Sequence, residues 1–442
     1  MTAPAAPDPE ASAPRPAEEP SDAYRRYALG LLLVVYIFNF IDRQILNILA
    51  EEIRRDLDLS DTQLGFLGGL AFAIFYTFAG IPIARGADRG VRRSIIALGL
   101  FVWSAMTAVT GLTRSFLEIA LARVGVGLGE AACSPPAHSL LSDLFPAERR
   151  ATALGIYALG IPIGSAIGTF AGGWLKEFFD WRTAFFVVGL PGVLLAVVVR
   201  LTLREPPRGG VAAPSAPPAA MPSLRSVIER MASLASFRHM SFAAALHAFY
   251  GYGIGLFLPV YFIRVHGFSE GELGTYLALI GLIGGGLGTF LGGWIGDRLA
   301  PRDPRWYLWL PAIGTLLAVP LGFGVYLSPD GHVALAFALP ASFLGSMYLG
   351  PSFAVAQGLA RPEMRALVAA ILLFVMNLIG LGLGPQAVGW LSDLLRPEYG
   401  QLSVRYALLW VATGGALWSA LHYFWAARSF RDDLVRAQAP PS

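Results

Sequence analysis

The sequence predicts an all-α membrane protein, with twelve transmembrane helices in two six-helix pseudo-symmetric bundles and both termini in the cytoplasm. Composition, a series of apolar runs of spanning length, and an internal repeat predict it. The 442-residue chain is 55% hydrophobic and only 14% charged, with a mean hydropathy of +0.57. Soluble domains carry about 25% charged residues, so the solvent of this chain is largely lipid.

A helix needs roughly 20 mostly apolar residues to cross a bilayer core of about 30 Å. Twelve segments meet that measure, at 27–50, 62–84, 94–112, 115–142, 150–174, 183–202, 241–263, 271–296, 306–327, 332–359, 364–391 and 403–427. Gly and Pro interrupt nearly all of them, which spanning helices tolerate because neighbouring helices satisfy the freed backbone groups. An open sheet would leave its edge groups unpaired in lipid and is excluded. Residues 1–24 are a disordered cytoplasmic tail, rich in Pro, Ala and Glu and without the apolar core of a cleaved signal.

Arginines set the orientation. Arg25 and Arg26, Arg85 to Arg93, Arg149 and Arg150, Arg200 to Arg238, Arg298 to Arg305, Arg361 and Arg365, and Arg428 to Arg436 fall in every second connection. The positive-inside rule then places both ends in the cytoplasm. The net charge of +3 and pI near 9.0 express this arginine and do not point to nucleic acid. Cys133 is the single cysteine, so an internal disulfide and a multi-cysteine metal site are excluded, and it reads as a small packing residue.

The repeat divides the chain. A shift of 209 places Ser60, Gln63, Leu64, Gly65, Asp88 and Arg89 on Ser269, Glu272, Leu273, Gly274, Asp297 and Arg298. A shift of 215 places Pro136, Glu148, Arg150 and Ala151 on Pro351, Glu363, Arg365 and Ala366. The expected organisation is a first bundle at 25–203, a linker at 204–240 with a short amphipathic helix at 224–236, a second bundle at 241–428, and a tail at 429–442. Parallel halves of this kind are the plan of many secondary transporters, whose substrate site lies between them near the bilayer midplane. The glycine-rich stretches 155–174 and 380–393 place small residues at helical spacing, which suits close helix packing.

The run IFNFIDRQILNILA at 37–50 puts charge into the first helix. Asn39, Asp42, Arg43 and Asn47 share a broad face, but Asp42 and Arg43 are about 100° apart around the axis and need separate partners. The fourth helix offers Arg123 and Glu130, two turns apart on one face, with Gly127 between them. Ionisable residues in a span cost about 2.5–3.5 kcal/mol each on insertion scales, so they normally face a cavity and work there. Facing them, the second half supplies His247, Tyr250, Tyr252, Tyr348 and Asn377. His247 reads either as a titrating group or as a hydrogen-bonded packing residue. No HExxH, GxSxG, Walker loop or metal-spaced acid cluster occurs, so neither an enzyme nor a cofactor nor a metal is expected.

ARGADRGVRR at 84–93 and GGWIGDRLAPR at 292–302 resemble the loop signature of the major facilitator superfamily, with Ala84 and Val91 departing from its usual glycines. The resemblance implies the major facilitator fold. It also implies a cytoplasmic gate built from Asp88, Arg89, Arg93, Glu148, Arg150, Asp297, Arg298, Glu363 and Arg365, whose wet ion pairs are worth only about 0–1 kcal/mol each. FNFIDRQ in the first helix and ARVGVGLGEAACSPP in the fourth look like the spinster branch of that superfamily. That likeness implies a proton-coupled, alternating-access transporter of an amphipathic lipid-like substrate of lysophospholipid or sphingosine-phosphate type. Asp42, Arg43 and Glu130 would couple the proton. Arg43, Arg123, Glu130, Asn39, His247, Tyr250 and Asn377 would line the substrate site. The alternative is a proton-driven multidrug or small-metabolite transporter on the same fold. The partners expected are the substrate, protons and the bilayer, for a monomer in a bacterial inner membrane.

Overall fold

A computed structural model describes residues 20–206 and 223–438, and among these residues all regular structure is helical. Before the linker the helices are α1 (Asp22–Ile48), α2 (Ala50–Asp56), α3 (Asp61–Gly68), α4 (Leu70–Arg89), α5 (Arg92–Thr110), α6 (Phe116–Glu130), α7 (Ser134–Leu144), α8 (Ala147–Ala158), α9 (Gly160–Phe178) and α10 (Trp181–Thr202). After it come α11 (Leu224–Ser233), α12 (Ala235–His266), α13 (Glu270–Leu279), α14 (Gly286–Leu299), α15 (Trp306–Leu327), α16 (Gly331–Gly345), α17 (Leu349–Gly358), α18 (Arg365–Val375), α19 (Gly384–Tyr399) and α20 (Ser403–Gln438). Ten stretches of the described residues are long and apolar enough to cross a membrane.

Local chemistry sets many of the boundaries. Ser60 opens α3 with a complete capping box to Gln63, and Ser269 accepts from the Glu272 N–H at the start of α13, as the repeat predicted. The fourth expected crossing, 115–142, is broken into α6 and α7, where Pro135 and Pro136 withhold two backbone donors. Two further rods contain π-helical turns, Ile280–Gly285 between α13 and α14 and Met376–Leu383 between α18 and α19. Gly400, at φ +56°, turns the chain between α19 and α20.

Three expected boundaries are corrected. The chain is already helical at Asp22, inside the supposed tail 1–24, whose residues 1–19 lie outside the described residues. Helix α12 starts at Ala235 rather than 241, because the Ser236 N–H donates to buried Asp433 at 2.8 Å. That contact also explains why α20 runs on to Gln438 through the supposed tail at 429 and beyond, with Phe430 and Ala437 buried.

The glycine-rich stretches are packing surfaces. Gly164, Gly168 and Gly172 of α9 are four residues apart and let α1 lie directly against that helix; a Cβ on Gly164 would stand 2.5 Å from the Ile37 carbonyl. Packing between the helices before and after the linker uses the same device. Gly173 of α9 faces Glu270 of α13, Gly65 of α3 faces Pro385 of α19, and Gly389 of α19 faces the Asp61 carbonyl.

Candidate functional site

The polar residues of the first helix meet those of the fourth in the interior. Arg43 donates from Nε to Glu130 Oε2 at 2.7 Å, which joins α1 to α6. The guanidinium lies under three rings, with its carbon 4.9 Å from the centroids of Phe72 and Tyr76 and 5.1 Å from that of Phe40. Such cation–π contacts stabilise a charge that has left water. Tyr252 of α12, half exposed, reaches the same guanidinium electrostatically from the other side of the linker. Arg43 therefore sits at the meeting of the two helix sets.

Asp42 is 2% exposed and takes a different environment, as its angular offset from Arg43 predicted. Its Oδ1 has no hydrogen-bond partner among the described residues, while Glu130, Arg123 and Arg43 all act on it electrostatically. Arg123 is buried, lies over Phe72 at 5.3 Å and points Nε toward the Leu67 carbonyl. It makes no ion pair with Glu130. Gly127 does not simply clear space between Arg123 and Glu130; it rests on the Phe72 backbone and brings α6 against α4.

In the second half His247 is enclosed. Tyr250 Oη lies 2.8 Å from Nδ1, Thr315 Oγ1 lies 3.3 Å away, and Tyr348 stacks on the ring at 3.8 Å. Of the two readings, the geometry is that of a hydrogen-bonded packing histidine. Asn377 falls in the π-helical turn beside α12, half-buried. Cys133 is buried against Tyr157, in keeping with its packing reading.

The strongest ionic structure lies where the sequence reading placed nothing. Arg264, in the last turn of α12, donates to Glu51 at 2.7 Å and to Asp61 through two nitrogens at 2.7 and 2.8 Å. Glu51 is also held by Arg54 and Arg55 at 3.0 Å, and Ser392 of α19 donates to Asp61 at 2.6 Å. Asp393 accepts from the N–H groups of Asp61 and Thr62, capping α3 from a helix more than 300 residues away. Burial would raise the Glu51 carboxyl, but hydrogen bonds from Arg54 and Arg264 outweigh it and hold it below the ordinary glutamate range. Beside this lock, Lys176 lies 3.7 Å from Glu270, and the Trp174 indole donates to Thr275 at 3.0 Å.

At the opposite end no ion pair joins the members of the expected gate among the described residues. Glu148, Glu363 and Arg365 are exposed, and among the described residues none of them makes an ion pair. Asp297 accepts instead from Tyr307 at 2.7 Å, and Arg298 lies over Trp294. The side chains of Asp88 and Arg89 lie outside the described residues, and Arg150 is half-buried. Arg93 donates to the Leu203 carbonyl, so it ties α5 to the start of the linker rather than to an acid of the gate. Its neighbour Arg92, which the sequence reading passed over, is buried and paired with Asp143 and Glu205.

This arrangement of two helix sets, locked together by Arg264 and holding a part-buried Arg–Glu pair, can be compared with known proteins. Residues 32–385 match the Major Facilitator Superfamily. The chain belongs to that superfamily. An "MFS-type efflux pump" of Mycolicibacterium smegmatis is 34% identical over 415 residues, covering 92% of this chain and 94% of the pump. Mouse "Protein spinster homolog 1" is 27% identical over 434 residues, covering 92% of this chain and 81% of the mouse protein. The crystal structure of a bacterial homolog to the human lysosomal transporter spinster, described as inward-facing and unoccupied, superposes with a TM-score of 0.87 at 33% identity, covering 96% of this chain and all of that one. The chain is thus a spinster-like facilitator-superfamily transporter, an integral, multi-pass protein of the bacterial inner membrane.

Proposed function

We propose that this facilitator is a proton-coupled secondary transporter that moves an amphipathic lipid-like anion, of lysophospholipid or sphingosine-phosphate type, by alternating access. The observation that carries the reading is the part-buried Arg43–Glu130 pair beside an Asp42 that the protein leaves without a hydrogen bond at Oδ1. A proton taken by Asp42 changes the charge balance among Asp42, Glu130, Arg123 and Arg43, and with it the partner Arg43 prefers. An anionic head group competes for the same guanidinium, as charge-assisted hydrogen bonds to phosphate favour Arg. Asn39, Arg123 and Glu130 line the head-group side, and His247, Tyr250 and Asn377 belong to the facing half.

In this reading the chain crosses the membrane twelve times, both termini are cytoplasmic, and residues 25–203 and 241–428 rock as two units in a monomer that catalyses no chemistry. The Arg264 lock is the outer gate, closed here. The superfamily loops with Asp88, Arg89, Arg150, Asp297, Arg298, Glu363 and Arg365 form the inner latch. A second reading is a proton-driven multidrug or small-metabolite transporter on the same fold, and export is favoured by the mycobacterial relative, an efflux pump.

Reconstituted proteoliposomes enclosing a pH-sensitive dye test both. Proton movement on addition of lysolipid, lost in Asp42→Asn protein that still folds, is the expected result. Movement with drugs or sugars but not lysolipid overturns the lipid assignment, and an Asp42→Asn variant that responds normally to a pH gradient overturns the role of Asp42.

A further inference from the structure

Several of the buried polar atoms that the protein itself does not satisfy belong to Asp42, Glu130 and the residues that act on them. Asn39 is 1% exposed, and neither Nδ2 nor Oδ1 has a partner. Thr107 of α5 is 2% exposed with Oγ1 unpartnered, and the same holds for Asp42 Oδ1, Glu130 Oε1 and Trp103 Nε1. Thr107 stands alongside Asp42 and Asn39 alongside Glu130, close enough to act on each carboxyl without closing a hydrogen bond. Trp103 and Thr107 are four residues apart and share one face of α5. A buried amide or hydroxyl without a partner costs about 1–3 kcal/mol, so several together in a native interior point to something that pairs with them.

The chemistry of the set identifies the occupant. Trp103 Nε1 and Asn39 Nδ2 are donors only, and neither can ligate a cation. Arg43 and Arg123 already balance the two carboxylates, so an added cation would leave uncompensated positive charge. Water both donates and accepts, and it is the usual occupant of polar interior sites with two to four available partners. The charged groups that act on Asp42 are Glu130, Arg123 and Arg43, and α5 adds the neutral Thr107 hydroxyl.

We propose that Asn39 and Thr107 are positioning residues that hold water between Asp42 and Glu130, so that the transported proton is shared between the two carboxyls through that water. The step balances simply: the proton leaves one carboxyl as a neighbouring water accepts it and passes another to the second carboxylate. This moves Asn39 from the substrate to the proton site, and it rests on the proton-coupled reading above.

The test uses the full chain in proteoliposomes and compares Thr107→Val, which keeps the shape and loses the hydroxyl, with Thr107→Ser. A hydroxyl that holds a water donating to the ionised Asp42 favours that form, so its loss should move the pH midpoint of proton-coupled transport about one unit to the alkaline side, a tenfold change in proton affinity. Thr107→Ser should restore the midpoint. In infrared difference spectra after a pH jump, the protonated-carboxyl stretch should shift in Thr107→Val and in Asn39→Leu. A midpoint and a carboxyl band that match the parent in every variant overturn the inference, as does a rate loss at all pH values with no shift of midpoint. If the parent protein itself moves no protons with any substrate, the proton-coupled reading fails first, and the inference with it.

Discussion

Replacing Arg264 by Gln isolates the energy of the sealed end. The guanidinium makes four hydrogen bonds of 2.7–3.2 Å to Glu51 and Asp61, and both carboxylates are at most 1% exposed. Removing one partner of a buried ion pair costs about 3–5 kcal/mol, because the other charge stays buried. Here Glu51 keeps Arg54 and Arg55, and Asp61 keeps Ser392, so the low end of that range, about 3 kcal/mol, applies. The penalty falls on the closed form, since opening returns the carboxylates to water. At about 1.4 kcal/mol per decade, the open fraction at this end should rise roughly a hundredfold. Spin labels at exposed Asp58 and Pro329, in a Cys133→Ala background, report the separation across the seal by pulsed dipolar spectroscopy. Arg264→Gln should populate a longer distance, and Arg264→Lys, which keeps the charge and loses the fork, should fall between it and the parent. A folded Arg264→Gln protein with the parental distance distribution would refute the lock.

The remaining predictions use the same labels or simple stability measurements. Gly389→Ala puts a Cβ 2.1 Å from the Asp61 carbonyl, backbone against backbone, so it should open the seal as Arg264→Gln does while leaving every ion-pairing group in place. Acidification should leave the seal intact from pH 8 to pH 6. Because the folded Glu51 carboxyl lies below its ordinary value, its contribution is full above about pH 4.3 and is lost only as the pH falls further; opening that begins near neutrality would contradict this. Glu130→Gln removes the carboxylate that pairs with Arg43 and leaves Asp42 alone to balance Arg43 and Arg123, and thermal unfolding in detergent should show a loss of about 3 kcal/mol.

Spans and intramembrane charges were legible for the same reason: an apolar run of fixed length announces a helix, and a charge within it stands out. That is why Asp42, Arg43, Arg123 and Glu130 stand out in the sequence, although it does not say which of them pair. The lock was not legible, because EEIRRDLDLSD reads as ordinary loop charge until the fold swings the end of α12 over it. The only hint was an arginine, Arg264, in a connection otherwise poor in basic residues. Helix ends failed where partners far along the chain decide them: charges at Arg428 to Asp433 end the apolar run, but Asp433 holds Ser236 and the helix continues. The π-helical turns fall in Gly-rich stretches whose composition suits close packing equally well, so no residue pattern separated the two.

Helix α1 links the polar cluster to the lock. Arg43 and Glu51 are eight residues apart, about 12 Å of helix, interrupted only by the gentle break at Leu49 between α1 and α2. On the proposed proton-coupled reading, a change in the partner of Arg43 would shift α1 against α6, and the same helix would carry Glu51 into or out of the reach of Arg264. The energies are commensurate. One proton moving down one pH unit supplies about 1.4 kcal/mol, and one charge crossing 100 mV supplies about 2.3 kcal/mol; together these exceed the roughly 3 kcal/mol assigned to Arg264. A much stronger lock would hold the outer end shut against any ordinary gradient, and a much weaker one would open without the proton. Direct pairing of Arg264 with both acids, combined with partial redundancy from Arg54 and Arg55, places this gate between those limits.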